Sequence, residues 1–295
     1  MSFPAMYAKF RALAGIMTPL ILLTLPQTPM WSAEQETDLS PVTQSFAGDS
    51  AASPSSAKPA SMLPLTTSRP SETDDSKTVP KGSLQAENGV TYEDDSDESQ
   101  SWILPETLLR LGLSDNTEFR FTLPNYIYQR DKDEGQLTNN FGDISVGLSH
   151  HQELPGKIDI ALIPILHLPT GANNISTDTI EPQLRVAVSR EFKTLTLESQ
   201  FDARWSHGKN ANANATFTPT LMISHDFMDK LSGFAEVVGE IFAWGSDDYY
   251  IQTGAYYTPT KRQQIDFRLG TGLIANSQDI LVGFGYSFRI DGLIK

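Results

Sequence analysis

Between Leu195 and Trp205 the chain alternates so regularly that its two faces can be written separately. Leu195, Leu197, Phe201, Ala203 and Trp205 fall on one side; Thr196, Glu198, Gln200, Asp202 and Arg204 fall on the other. A period of two means an extended strand whose successive side chains point in opposite directions. The pattern recurs along the chain. Phe119, Phe121, Leu123 and Ile127 oppose Glu118, Arg120 and Thr122; Ile265, Phe267, Leu269 and Leu273 oppose Asp266, Arg268, Gly270 and Gly272. Eleven such runs can be marked, from Thr107–Leu113 to Ile280–Ile290, and none of them has helical periodicity.

Most runs are about ten residues long, whereas soluble strands average five or six. Ten residues is the length that a tilted strand needs to cross a bilayer. The connections alternate too. Tight ones (114–117, 153–157, around Lys193, 228–231, 259–262) take turns with longer ones (129–141, 170–180, 207–214, 245–248, 275–279). Outer-membrane barrels place tight turns at the periplasmic end and longer loops outside. Aromatic residues such as Tyr126, Tyr128, Trp205, Trp244, Tyr249, Tyr250, Tyr256 and Tyr257 gather near run ends, where interfacial girdles sit. The expected fold is therefore all-β: a single antiparallel transmembrane barrel over residues 102–290. Single-chain barrels close with an even number of strands, so about twelve are expected. The missing one is sought between Gly89 and Glu106, or within a long loop.

The first hundred residues differ. In residues 1–33, Lys9 and Arg11 precede the apolar run Ala12–Leu25, too short for a membrane helix but suited to a signal peptide. Residues 34–101 are rich in Ser, Thr and Pro; 34–100 alone hold 13 acidic and 4 basic side chains within a chain of net charge −14. With few large apolar groups, this stretch is expected to be a disordered acidic spacer. Residues 291–295 form a short tail after the last strand. The acidic balance speaks against nucleic acid, and the absence of Cys excludes a disulfide framework.

The segments "LPETLLRLGLSDNTEFRF" (104–121), "FGDISVGLSH" (141–150), "LIPILHLPTG" (162–171), "FAEVVGE" (234–240), "QQIDFRLGTGL" (263–273) and "GFGYSFR" (283–289) stand in a telling order. Together they resemble the outer-membrane transporter-like family named for the meta-pathway of phenol degradation. The resemblance implies a passive or facilitated route for small hydrophobic or aromatic compounds. Barrels of this type often end in an aromatic residue, and here Phe288 is followed by seven more residues.

No catalytic, metal or cofactor site is expected. His150, His151, His167, His207 and His225 lack metal-ligand spacing, and Ser149–His150 and Ser224–His225 are strand neighbours whose side chains diverge. The candidates for function are the inward charges. Arg110, Glu118, Arg120, Glu198 and Asp202 form one set; Arg204, Glu236, Glu240, Asp266 and Arg268 form the other. They would brace the lumen, form a constriction, or do both. Arg204 is expected to hold Asp202 near the mouth, and Gly147, Ser149, Gly254, Gly270, Gly272, Gly283 and Gly285 to leave room inside. The expected partners are outer-membrane lipid, the barrel-assembly machinery and small apolar organic solutes. The rival reading is a structural barrel, plugged by its own charges, that anchors the acidic segment.

Overall fold

The computed structural model describes residues 63–95, 99–206, 214–274 and 277–293. The expected signal peptide and the first part of the expected spacer lie outside these residues, as does His207. Fourteen strands follow one another. They are β1 (Leu84–Asp94), β2 (Ser99–Gly112), β3 (Thr117–Thr122), β4 (Tyr126–Asp131), β5 (Leu137–Phe141), β6 (Ile144–Leu154) and β7 (Ile158–Leu168). The second half comprises β8 (Glu181–Phe192), β9 (Leu195–Ser206), β10 (Asn214–Met228), β11 (Leu231–Phe242), β12 (Asp248–Thr260), β13 (Gln263–Gly272) and β14 (Ile280–Ile290). Every pairing is antiparallel, and β1 pairs with both β14 and β2, which closes the barrel.

Two staves are interrupted. The inner half of β2 pairs with β3 and its outer half with β4; β3 then pairs with β6, and β4 with β5. β3 and β4 are thus one stave, β5 and β6 another, and the wall has twelve. Each break has a local cause. Pro124 has no N–H to give the ladder. At the second break the Asp143 carboxylate accepts from Thr170 N (2.9 Å), Gly171 N (2.8 Å) and Ser176 Oγ (3.0 Å). This ties the 169–180 loop to the wall, and Ala172 N then bonds Phe141 O, covering the free edge of β5.

Three expectations change here. The stretch 129–141, read as a loop, is mostly the β4–β5 hairpin, with only 132–136 turning. The stretch 34–101, read as disordered, contains a complete stave: the missing strand is β1, which starts well before Gly89. β1 escaped notice because its lipid-side positions, Ala86, Asn88, Val90 and Tyr92, are mostly small or polar. The barrel accordingly begins at residue 84 rather than 102, and β2 reaches back to Ser99.

The two faces follow the alternation, but Tyr250 and Tyr256, expected in the girdle, face the lumen: Tyr250 is buried on the same side as Gln252, and Tyr256 lines an inner cavity. Phe119, Leu148, Ile251, Phe267, Leu269 and Phe284 are exposed on the outside, while Arg110, Glu118, Ser149, Gln252 and Arg268 are buried within. Burial here is inverted relative to a soluble domain, since the outer surface meets lipid and the inner one meets polar groups. On β9, Phe201 stacks on Phe217 of β10 with centroids 6.4 Å apart, while Gln200 and Asp202 are buried in the lumen. Replacing Phe201 with Arg places a charge in hydrocarbon near mid-depth and should cost about 2–4 kcal/mol. Urea unfolding in lipid vesicles measures this; a variant as stable as the parent would invert the assignment of faces.

Candidate functional site: a polar lumen occupied by the N-terminal segment

Residues 63–79 form no strand or helix, yet Thr73, Asp74, Ser76 and Val79 are buried. They lie inside the barrel. The segment rises from the periplasmic end, where Arg289 donates to Leu63 O (2.8 Å) and Pro64 O (2.9 Å). It turns near mid-depth at Arg69–Asp74 and descends to Val79, whose N donates to Glu118 Oε2 at 2.7 Å. Both ends therefore lie on the side of the tight turns.

An irregular backbone at membrane depth must have every polar group satisfied by protein. Wall side chains meet this need. Glu87 accepts from Ser68 N (2.9 Å), Glu236 from Glu72 N (3.0 Å) and Thr73 N (2.7 Å), and Gln200 from Asp74 N (2.8 Å). Carbonyls are met by arginine and amide groups. Arg110, fully buried, donates to Thr66 O (3.0 Å) on the rising limb and Lys77 O (2.8 Å) on the descending one, while pairing with Glu118 (2.7 Å) and Glu87 (3.0 Å). One guanidinium thus fastens both limbs.

Ion pairs add to this. Arg69 meets Glu106 (2.8 Å) and Asp266 (3.6 Å); Glu72 meets Arg268 (2.6 Å); Asp74 meets Arg120 (2.7 Å) and Arg185; Lys77 meets Glu191. The Asp74 carboxylate is thus matched from two sides, by Arg120 at one oxygen and Arg185 at the other. The glycines serve the arginines. A Cβ at Gly89 would sit 2.1 Å from Arg69 Cζ, one at Gly285 2.5 Å from Arg69 Nε, and one at Gly283 2.7 Å from Arg268 Cγ. Gly89 and Gly285 are cross-strand partners, so together they make a notch for one guanidinium. The room expected inside at Gly283 and Gly285 is therefore filled.

The ten candidate residues all project into the interior, in three groups. Arg110, Glu118, Arg120, Glu236, Asp266 and Arg268 contact the segment directly, and Asp202 joins the same buried network through Arg185. Glu198 lines a cavity of about 120 Å³ beside Asp75 and Tyr256, and Glu240 projects inward from the outer half of β11. Arg204 is near the mouth, but it holds Glu181 on the neighbouring strand, and Asp202 is taken by Arg185 (2.7 Å) and Gln183. The register decides this: Arg185 lies directly opposite Asp202, and Gln183 opposite Arg204 places Glu181 on the diagonal, within reach of a long side chain. Arg185, Glu181, Glu87 and Glu106 were not singled out in the sequence; the alternation around Leu184 and Val186 carries the signal for Arg185. A second cavity of about 250 Å³ lies beside the turn of the segment, lined by Leu108, Arg120, Ile165, His167 and Arg185 among others.

A closed, lipid-faced antiparallel barrel with a polar interior is the fold of outer-membrane β-barrels, channels and porins among them. The solved structures agree at the level of the fold. An outer membrane channel from Pseudomonas putida F1 superposes with a TM-score of 0.59 at 14% identity, covering 73% of this chain and 98% of that one. The NanC porin gives 0.50 at 9% identity, covering 70% and 100%. The chain belongs to the MetA-pathway of phenol degradation family, which matches residues 67–290. The match takes in most of the segment inside the barrel as well as the wall. No curated protein matches the sequence.

Removing one partner of a fully buried ion pair costs about 3–5 kcal/mol, and an exposed pair about 1 kcal/mol or less. Arg110→Ala strands Glu87 and Glu118 and should fall in the first range. Arg204→Ala removes a side chain 40% exposed at the mouth but leaves Glu181, 2% exposed, without its cation, so its loss should fall between the two ranges. Urea unfolding of both variants in vesicles checks the ranking, and equal losses would refute it.

Proposed function

We propose that the barrel conducts small hydrophobic or aromatic organic compounds across the outer membrane, and that residues 63–79 hold it closed until they withdraw. The observation that carries this reading is how the segment is fastened. It is joined to the wall by side-chain contacts, without a strand ladder, and both limbs leave through the same end. Water can replace such contacts one by one, whereas a strand in the wall could not leave without opening the barrel. The cavities flanking the turn support the reading as places where a solute would sit. At about 250 Å³ the larger is below the 300–1,000 Å³ usual for drug-sized ligands, so its occupant is a single small compound. The hydrophobic and aromatic character of that compound follows the family, and its passage is non-enzymatic.

The rival reading, a structural barrel permanently filled by its own segment, is favoured by the number of wall side chains that bond the backbone of both limbs. Planar-bilayer conductance separates the two. The full chain should show rare, brief openings. Glu236→Ala, which removes the acceptor for Glu72 N, Thr73 N and the Thr73 hydroxyl, should raise the open probability severalfold. Silence from both proteins, with normal assembly of each, would favour the structural barrel.

A further inference from the structure

Asp74 is the most heavily charge-bound group of the internal segment. It is 3% exposed, Oδ1 accepts from Arg120 Nη2 at 2.7 Å, and Oδ2 pairs with Arg185. On the wall itself, Arg185 is also bound by Asp202 at 2.7 Å. Glu118 lies 3.9 Å from Arg120, but its oxygens are engaged at 2.7 Å by Arg110 and by Val79 N. The local wall cluster thus has two guanidinium groups and one carboxylate of its own. It lacks one negative charge, and the segment supplies it.

The surroundings fit more than a tether. Arg120, Asp74 and Arg185 line the 250 Å³ cavity, a mostly polar space that Glu72, Glu87 and Glu106 also border and in which Leu108 and Ile165 supply an apolar patch. Arg120 Nη1 is buried with no hydrogen-bond partner, so a donor remains for a second acceptor oxygen. Guanidinium groups bind carboxylates through paired N–H donors and also stack on aromatic faces. An anion-binding pair next to an apolar patch matches a molecule with a carboxylate at one end and a ring or short hydrocarbon body at the other.

We propose that Arg120 and Arg185 form the solute-recognition site, that the solutes are small organic carboxylates with an aromatic or apolar body, and that Asp74 occupies the site in their place. A solute entering from outside displaces Asp74 and frees the turn of the segment, so the compound to be carried opens its own path. This deepens the reading of the barrel as a channel closed by residues 63–79, and rests on it.

The test is conductance of the full chain in planar bilayers with benzoate on the outer side, against benzyl alcohol (ring without charge) and acetate (charge without ring). Benzoate should raise the open probability, and the other two at equal concentration should not. Asp74→Asn removes the charge that pairs with both Arg120 and Arg185, without altering the wall. It should open on the order of tenfold more often in the absence of any solute, and should no longer respond to benzoate. An equal response to benzyl alcohol, or an undiminished benzoate response in Asp74→Asn, overturns the carboxylate assignment. So does an indifferent parent alongside an open Asp74→Asn, which leaves the closed-channel reading standing. Silence of both proteins under every condition removes that reading and the inference with it.

Discussion

Charge in a narrow interior must be paired, because separating an ion from water without a partner costs several kcal/mol. The rest of this structure follows from that constraint. The wall places Arg110, Arg120, Arg185, Arg268 and Arg289 inside, close to Glu87, Glu106, Glu118, Asp202, Glu236 and Asp266. The wall groups do not complete one another. Arg268 finds Glu72, the Arg120–Arg185 pair finds Asp74, and Glu106 and Asp266 find Arg69, all on residues 63–79. Barrel and segment are each half of one network.

The same network explains how an irregular chain persists at a depth where lipid would forbid it. Backbone groups with no ladder are tolerated inside a membrane protein only where protein or water satisfies them. Here carboxylates and amides accept from the N–H groups of the segment, and arginines donate to its carbonyls. Shape is adjusted to match: Gly89 and Gly285 give up side chains on adjacent strands so that the Arg69 guanidinium fits between them. The lipid face takes no part in this. Its role is met by Phe, Leu and Ile at alternate positions, with the polar work confined to the other face.

Much of this was legible in the sequence where a physical rule acts locally. From Glu118 onward each stave buries one face in lipid, so a period of two marks the strands and sorts Glu198, Asp202 and Arg204 inward. β1 was hidden because Asn88 and Ala86 occupy its outer face, and its Glu and Thr residues blend with the acidic stretch before it. The internal segment was hidden for a deeper reason. A core made of apolar side chains leaves a compositional trace, but "TTSRPSETDDSK" is held by hydrogen bonds and charges whose partners lie up to 215 residues away. To composition alone, a solvated spacer and a saturated polar plug look the same. Arg204 shows the limit at one residue: the face followed from alternation, but the partner depended on the register between β8 and β9, which sets Glu181 diagonally across from it.

The central claim is that residues 63–79 lie within the barrel and block it. Ser76 Oγ and Ser189 Oγ are 2.6 Å apart, and the chain has no Cys of its own. Replacing both serines with Cys tests the placement directly, by disulfide formation in intact membranes under mild oxidation, followed by conductance. The account predicts a single intramolecular disulfide, openings abolished in the oxidised protein, and openings restored by reduction. A folded barrel whose two thiols stay free under the same oxidant would contradict it.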